Sequence, residues 1–417
     1  MKPFKLFPLL CIIAGCRAYT PAPIDWAQER AAWAGQSAEP LRLTLADAKR
    51  YALFLNPEIN ALRVRHLASS NVVLQTGWWD DPEIGVDALR FLKRAPHPWI
   101  VDSTLAFTIP VNGVPALERK AAEAYTFADA CAVIAEERAL MTAVERAWNV
   151  FQHTGKRCQF LADFLKPFEA DNEKVKKLVA AGELDVAEGA RINLDILRMA
   201  AEGRQARNSL ETQRLALLRL MGFHPSVPLY PSIYTDDDEA DPAIPTEDTL
   251  LRHPNVQEKL ARLGASEADL RTEIRRQYPD LKIGPALQNE DGASRAGLTF
   301  GMTLPLWNRN RKAIAEAEGA RQHARIEAVN EWKRLVAELE LAKAALRAAE
   351  ENEQRSLLEK QVAWQSLDCI EQLYRAGEAD IVACIVVRQT CVTAHLNLLD
   401  ASQALREAQI SVRYFSD

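Results

Sequence analysis

Cys384, Cys391 and His395 fall at i, i+7 and i+11, and two thiols and an imidazole on one helix face are the raw material of a soft-metal site. The spacing argues against one shared ion. On a helix, Cys384 and Cys391 stand ~10.5 Å apart along the axis at ~1.5 Å per residue. Metal–ligand bonds measure only ~2.0–2.3 Å. Cys391 with His395 has the reach for a transient ion, but a packed seam of small apolar thiols is the better reading, so no metal or cofactor is expected. A second set of chemically able groups flanks two glycines: Gly182-Glu183-Leu184-Asp185 and Gly377-Glu378-Ala379-Asp380. Repeated around a symmetric opening, Glu183, Asp185, Glu188, Glu378 and Asp380 would make carboxylate rings that favour cations. For Asp185 and Asp380, helix N-capping is the better reading than a gating ring. The chain holds no GxGxxG, no GxxxxGKS/T, no HExxH and no GxSxG pattern, and its 7 His form no constellation, so enzymatic chemistry is not expected.

With 48% hydrophobic and 26% charged residues over 417 positions, the chain has the composition of a folded protein. A net charge of −6 lacks the basic footprint of a nucleic-acid binder. The N-terminus reads as a processing signal, 1–15: Lys2 and Lys5, then an apolar core from Leu6 to Ile13, then Ile13-Ala14-Gly15-Cys16. That ending resembles the bacterial lipobox, whose cysteine becomes the lipidated first residue of the mature protein; an ordinary signal peptide is the plainer alternative. Lipidation of Cys16 is expected, with 16–42 as a lipidated extension. Arg17 follows, where an Asp would favour inner-membrane retention. Beyond Cys16 no run of 18 apolar residues occurs, so a membrane crossing would need strands. The five remaining cysteines, Cys131, Cys158, Cys369, Cys384 and Cys391, are odd in number and lack a disulfide framework's spacing, and they are predicted to be buried small apolar residues.

The elements that would position these groups are written twice. Asn56-Pro57-Glu58-Ile59 recurs 197 residues on as His253-Pro254-Asn255-Val256, and Pro82-Glu83-Ile84 recurs at the same offset as Pro279-Asp280-Leu281. Phe107-Thr108-Ile109-Pro110-Val111 recurs 195 residues on as Met302-Thr303-Leu304-Pro305-Leu306, and Ala181-Gly182-Glu183-Leu184-Asp185-Val186 as Ala376-Gly377-Glu378-Ala379-Asp380-Ile381. The division is two repeats, 43–222 and 246–417, joined by a proline-rich, acidic surface linker, 223–245. Each repeat is predicted to run helix, two strands, very long helix, tight turn, long helix. The first helix starts at Thr44, with Asp47 at capping-box distance, and runs toward Gln75. The run 116–180 would extend close to ~100 Å at ~1.5 Å per residue. Phe127, Cys131, Ile134, Met141, Val144, Trp148 and Phe151 keep heptad steps, as do Val329, Trp332, Val336, Leu339 and Leu346, predicting helices wound on neighbours.

Strands are predicted at 83–91, 99–110, 281–288 and 296–305. In the last, Leu298, Phe300, Met302 and Leu304 alternate with Gly297, Thr299, Gly301 and Thr303, one face apolar and one small or polar. Leu105, Phe107 and Ile109 alternate likewise, as do Leu281, Ile283 and Leu287. Trp78, Trp79, Phe91, Trp99, Tyr278 and Trp307 sit near strand ends, as in the aromatic girdles of membrane barrels. A soluble hairpin packed on the rods is the alternative for alternation taken alone. In lipid, four strands cannot close and an open edge leaves backbone groups unpaired. A trimer supplies twelve strands and a passage, a dimer only a filled eight.

At this point the residues resemble the TolC-type outer membrane efflux protein family. The resemblance spans nearly the whole mature chain. It is carried by Leu43-Thr44-Leu45-Ala46-Asp47-Ala48 with Asn56-Pro57-Glu58, by Tyr278-Pro279-Asp280-Leu281, and by Thr303-Leu304-Pro305-Leu306-Trp307-Asn308-Arg309-Asn310-Arg311 leading to Ala313-Ile314-Ala315. Tyr374-Arg375-Ala376-Gly377-Glu378 completes it. The resemblance implies a mainly α fold with a membrane β-barrel: a homotrimer with twelve strands in the outer membrane of a Gram-negative bacterium and a twelve-helix periplasmic tunnel. It implies a passive duct completed by a periplasmic adaptor and an inner-membrane pump, and the Leu-Pro-Leu-Trp-Asn-Arg-Asn-Arg stretch looks closest to members serving resistance–nodulation–division cation pumps. It places Gly182, Glu183, Asp185, Glu188, Gly377, Glu378 and Asp380 at the adaptor-docking tips and gate, and Leu298, Phe300, Met302 and Leu304 against lipid. Some relatives carry aspartates one and two turns into the last helix; here Ala383 and Val386 stand there. A lipid-anchored periplasmic coiled-coil adaptor or scaffold is the competing reading.

Overall fold

The computed structural model describes residues 19–35, 43–92, 99–230, 244–290 and 293–416. Cys16, the signal segment and the acidic run from Asp236 to Glu239 lie outside the described residues. The elements run α1 (Trp26–Ala34), α2 (Leu45–Leu55), α3 (Pro57–Gln75), β1 (Glu83–Arg90), β2 (Trp99–Ile109), α4 (Val114–Ala181), α5 (Val186–Met221), α6 (Glu247–Leu250), α7 (Pro254–Arg275), β3 (Leu281–Glu290), β4 (Ala293–Met302), α8 (Arg311–Ala376) and α9 (Ile381–Arg413). At 68 and 66 residues, α4 and α8 are rods of about 100 Å.

Two long rods and two composite rods lie side by side. Helix α4 packs on α3 and α5 along one flank and on α7 and α9 along the other, and α8 packs only beyond α7 and α9 and against short α6. The order across the molecule is therefore α3/α5, α4, α7/α9, α8. The strands repeat it as an antiparallel sheet in the order β1-β2-β3-β4. Each of α3, α4, α7 and α8 adjoins its own strand in sequence, so four rods continue into four strands without crossing.

The predicted first helix is two. Thr44 and Asp47 form the expected capping box on α2, but the helix ends at Asn56, because the residue before a proline is driven out of the helical region. Asn56 adopts φ −63°, ψ 122° and caps α3 by accepting from the Glu58 and Ile59 amides. Its Nδ2 also donates to Leu220 O, near the end of α5, at 3.0 Å. His253 stands at the matching position of the second repeat, and its Nδ1 accepts from the Asn255 amide to cap α7. Its Nε2 lies 3.2 Å from Tyr414 O, just past α9. One residue type apart, both joints butt a short helix end-on against a returning long one.

Five apolar clusters are strung along the rods among the described residues, three of them large. The first holds Ile59, Val144, Trp148, Phe151, Leu217, Met221 and Phe223, the second Phe168, Val175, Ile192, Ile385 and Val392, and the third Leu250, Val256, Leu335, Leu339 and Val412. The heptad reading holds for Val144, Trp148, Phe151, Leu339 and Leu346 but fails for Phe127, Ile134 and Val329, which are exposed. A straight helix drifts off a seven-residue repeat, and α4 changes neighbours from α7 to α9 along its length.

The segment predicted as a surface linker begins inside the molecule. Phe223, Val227 and Leu229 are buried with the first core, and Arg214 Nη1 donates to Val227 O at 2.6 Å. The prolines and acids of 223–245 masked three apolar residues at packing intervals. Cys131, Cys384 and Cys391 are buried, but Cys158 is half-buried and Cys369 exposed, because Cys369 faces outward from α8, an edge rod.

Candidate functional site

The two tight turns meet at the end of the rods remote from the sheet. Gly182 closes α4 at φ 75° and Gly377 closes α8 at φ 78°, left-handed conformations that cost a side-chain-bearing residue dearly. The Glu183 amide donates to Leu178 O at 3.0 Å and the Glu378 amide to Leu373 O at 2.9 Å, so the helix ends are satisfied in the same way twice. Asp185 accepts from the Ala187 amide and Asp380 from the Ala383 amide, at 3.2 and 2.7 Å. Both aspartates therefore cap the returning helices. Glu183, Asp185, Glu378 and Asp380 are exposed and Glu188 half-buried. Val175 and Ile192 share a core with Ile381, Val382 and Ile385, which brings the turns together.

Eleven residues from each glycine sits a charge cluster that sequence reasoning missed. Arg388 on α9 bonds the Asp171 carboxylate on α4 and places Nη2 2.7 Å from Glu371 Oε1 on α8. Its guanidinium lies 5.9 Å from the Phe168 ring centroid. Asp171 is 8% exposed, so the first repeat is pinned to the second by a largely buried network. Burial works against the Arg388 charge, but the two carboxylates hold its pKa above the usual value. A lone arginine inside Ile381-Val382-Ala383-Cys384-Ile385-Val386-Val387-Arg388 was the available signal.

The candidate ligands on α9 have other partners. Cys391 Sγ lies 2.9 Å from Ala363 O, Cys384 Sγ lies 3.7 Å from Ile370 O, and His395 stacks on Phe160 at 3.8 Å. Burial raises both thiols' pKa values and lowers that of His395.

The sheet has two unlike faces. Its register places Ile84 beside Leu105, Phe107 beside Ile283, and Ile283 beside Phe300 on one side. On the other side Asp87, Asp102, Gln288 and Arg295 form one cross-strand row. Leu298, Phe300 and Met302 lie on the apolar side, 66%, 67% and 56% exposed in the single chain. Leu304 does not join them: β4 ends at Met302, because its strand begins and ends three residues earlier than predicted. Trp78, Trp79, Phe91, Trp99, Tyr278 and Trp307 are all exposed near strand ends. At the centre, a Cβ on Gly284 would meet Leu105 O at 1.7 Å, so β2 and β3 approach closely only over a glycine. Strands β1 and β4 are the free edges.

Residues 246–415 match the model of the outer membrane efflux protein family. Over this second half the chain is similar to the outer membrane efflux protein family. About nine-tenths of the chain shares its fold with solved membrane proteins. It aligns with a membrane protein from Pseudomonas aeruginosa at 16% identity and a TM-score of 0.77, over 90% of this chain and 91% of that one. For the CmeC outer membrane channel of Campylobacter jejuni the identity is 13% and the TM-score 0.76, over 89% and 85% of the two chains. For CusC they are 15% and 0.74, over 88% and 90%. No curated protein matches the chain in sequence. The matched family model is that of efflux proteins, and CmeC is a channel.

Proposed function

We propose that this chain is one third of a passive outer-membrane duct, a subunit of a trimer that carries cargo from a periplasmic adaptor and an inner-membrane pump to the exterior. The observation that carries it is the double open edge. Rods and strands follow one order, and both stop at an unpartnered flank: α3/α5 with β1 on one side, α8 with β4 on the other. The flanks are apolar, with Val64, Leu67, Leu194 and Leu197 exposed on one and Ile326, Leu341, Leu358 and Val362 on the other. A sheet with an apolar outer face needs its edges paired in lipid. Cyclic repetition pairs β4 of one subunit with β1 of the next and covers both rod flanks at once. Twelve strands leave a passage where eight are nearly filled.

In this reading the units 43–222 and 246–417 are duplicated repeats. The apolar face with Leu298, Phe300 and Met302 meets lipid, and the face with Asp87 and Asp102 lines the lumen. Cys16 carries the lipid that anchors the N-terminus. Gly182, Glu183, Asp185, Glu188, Gly377, Glu378 and Asp380 form the periplasmic tips where an adaptor docks and the passage narrows, and the pump is of the resistance–nodulation–division type. A periplasmic adaptor built as a small β domain on a single helical hairpin would not carry two rod pairs joined to one sheet. Cell fractionation together with heat-modifiable migration tests the reading. Outer-membrane recovery with a compact form that shifts on boiling is the expected result; recovery in the soluble periplasm would end it.

A further inference from the structure

The segment between β4 and α8 differs from its counterpart in the first repeat. From Pro110 to the left-handed Gly113 that starts α4 is three residues; from Pro305 to the left-handed Asn310 that starts α8 is five. Leu306 and Trp307 in the longer segment are 59% and 86% exposed. Arg309, Arg311 and Lys312 follow, all exposed. Among the described residues Arg309 and Arg311 have no ion-pair partner, and Lys312 has only a 3.7 Å contact with Glu316. The first turn of α8 contains no acid. Two cations thus stand at the positive end of a 66-residue helix, where a cation is unfavourable unless an anion is present. The backbone is strained there too. Arg309 and Asn310 take φ 43° and 54°, consecutive left-handed residues without a glycine. Asn310 holds the turn by donating to Glu273 O and Oε2 at 2.9 and 2.7 Å.

We propose that this segment is a phospholipid clamp: Leu306 and Trp307 enter the acyl boundary of the leaflet on the helical side, while Arg309, Arg311 and Lys312 hold headgroup phosphates. The inference rests on the membrane reading above, since β4 must end at that surface. Aromatic side chains settle at the level of the headgroups, and basic residues beside them attract anionic lipid. The amides at the start of α8 add anion-binding donors. The tether from Asn310 to α7 makes the clamp part of the strand-to-rod joint, so bound lipid would brace that joint. The first repeat lacks the clamp: Val111 is exposed at the corresponding place, but Asn112, Gly113 and Val114 carry no charge.

The test uses the full chain in detergent, titrated with short-chain phosphatidylglycerol, short-chain phosphatidylcholine or inorganic phosphate, following the thermal midpoint. Phosphatidylglycerol is expected to raise the midpoint at lower concentration than phosphatidylcholine, and inorganic phosphate to have little effect. Each charge removed is expected to weaken the phosphatidylglycerol response roughly five-fold. The R309S/R311Q/K312Q variant should lose the preference while keeping the midpoint it has without lipid, and Trp307→Ala should weaken both lipids alike. Equal responses to the two lipids, or a preference that survives in the triple variant, would overturn the clamp. A triple variant already destabilised without lipid would place the cations in a subunit contact and overturn it too. A chain that stays soluble without detergent would instead sink the membrane reading itself.

Discussion

His253 uses its two ring nitrogens in opposite roles, accepting from the Asn255 amide at Nδ1 and facing Tyr414 O at Nε2. Only the neutral ring with its proton on Nε2 satisfies both. At 2% exposure, burial chiefly, and then the Arg138 charge, press its pKa down to about 4. The folded state therefore binds this proton less readily than the unfolded chain. Stability from His253 is complete above the ordinary histidine pKa of about 6.5 and is lost as pH falls toward 4. Asn56 does the same work in the first repeat without a titratable ring, so His253→Asn is expected to keep the thermal midpoint at neutral pH and to flatten its decline between pH 6.5 and 4. A variant that declines as steeply as the wild type would remove His253 from the account. At the tips, Gly377→Pro forces φ to about −65° and deletes the amide that donates to Tyr374 O. Local loss of amide protection at 373–384 is expected, with export blocked and the sheet intact; unchanged export would count against the tip assignment. Arg388→Gln leaves the buried Asp171 carboxylate only its contact with Lys174 Nζ at 3.1 Å and is expected to destabilise the chain by roughly 2 kcal/mol. A shift below about 1 kcal/mol in denaturant unfolding would show that the network is solvated.

At the scale of elements, the alternation of β4 carries the clearest consequence. Phe300→Arg places a charge on the apolar face and is expected to cost about 2–4 kcal/mol if that face meets lipid. Thr299→Arg, one residue away on the polar face, should be tolerated. Heat-modifiable migration of the two variants separates them, and equal behaviour would contradict the two-faced sheet. Period-2 alternation in 297–302, the duplicated Ala-Gly-Glu turns and the length of α4 were legible in the sequence because each is a local pattern. What was not legible depended on distant partners. The docking of Asn56 onto Leu220 O needed the end of α5 beside it, the burial of Phe223, Val227 and Leu229 needed α2 and α4 around them, and Arg388 acquires meaning only where Asp171 and Glu371 meet. The end of β4 was not legible because the alternation runs on to Leu304, past the last ladder pair, Leu281 with Met302.

For the whole molecule, one geometrical fact governs the rest. Four rods and four strands lie in the same order, and at both flanks the series stops with apolar side chains exposed and a strand unpaired. In the proposed function a subunit of this shape is completed by a ring, and the ring that leaves a passage has three members. Particle imaging of the detergent-extracted protein measures this directly. The account expects a hollow tube with threefold symmetry, more than about 100 Å long, with the sheet end in the detergent belt. A closed monomer with β1 and β4 shielded by its own chain, or a ring without a continuous lumen, would contradict it.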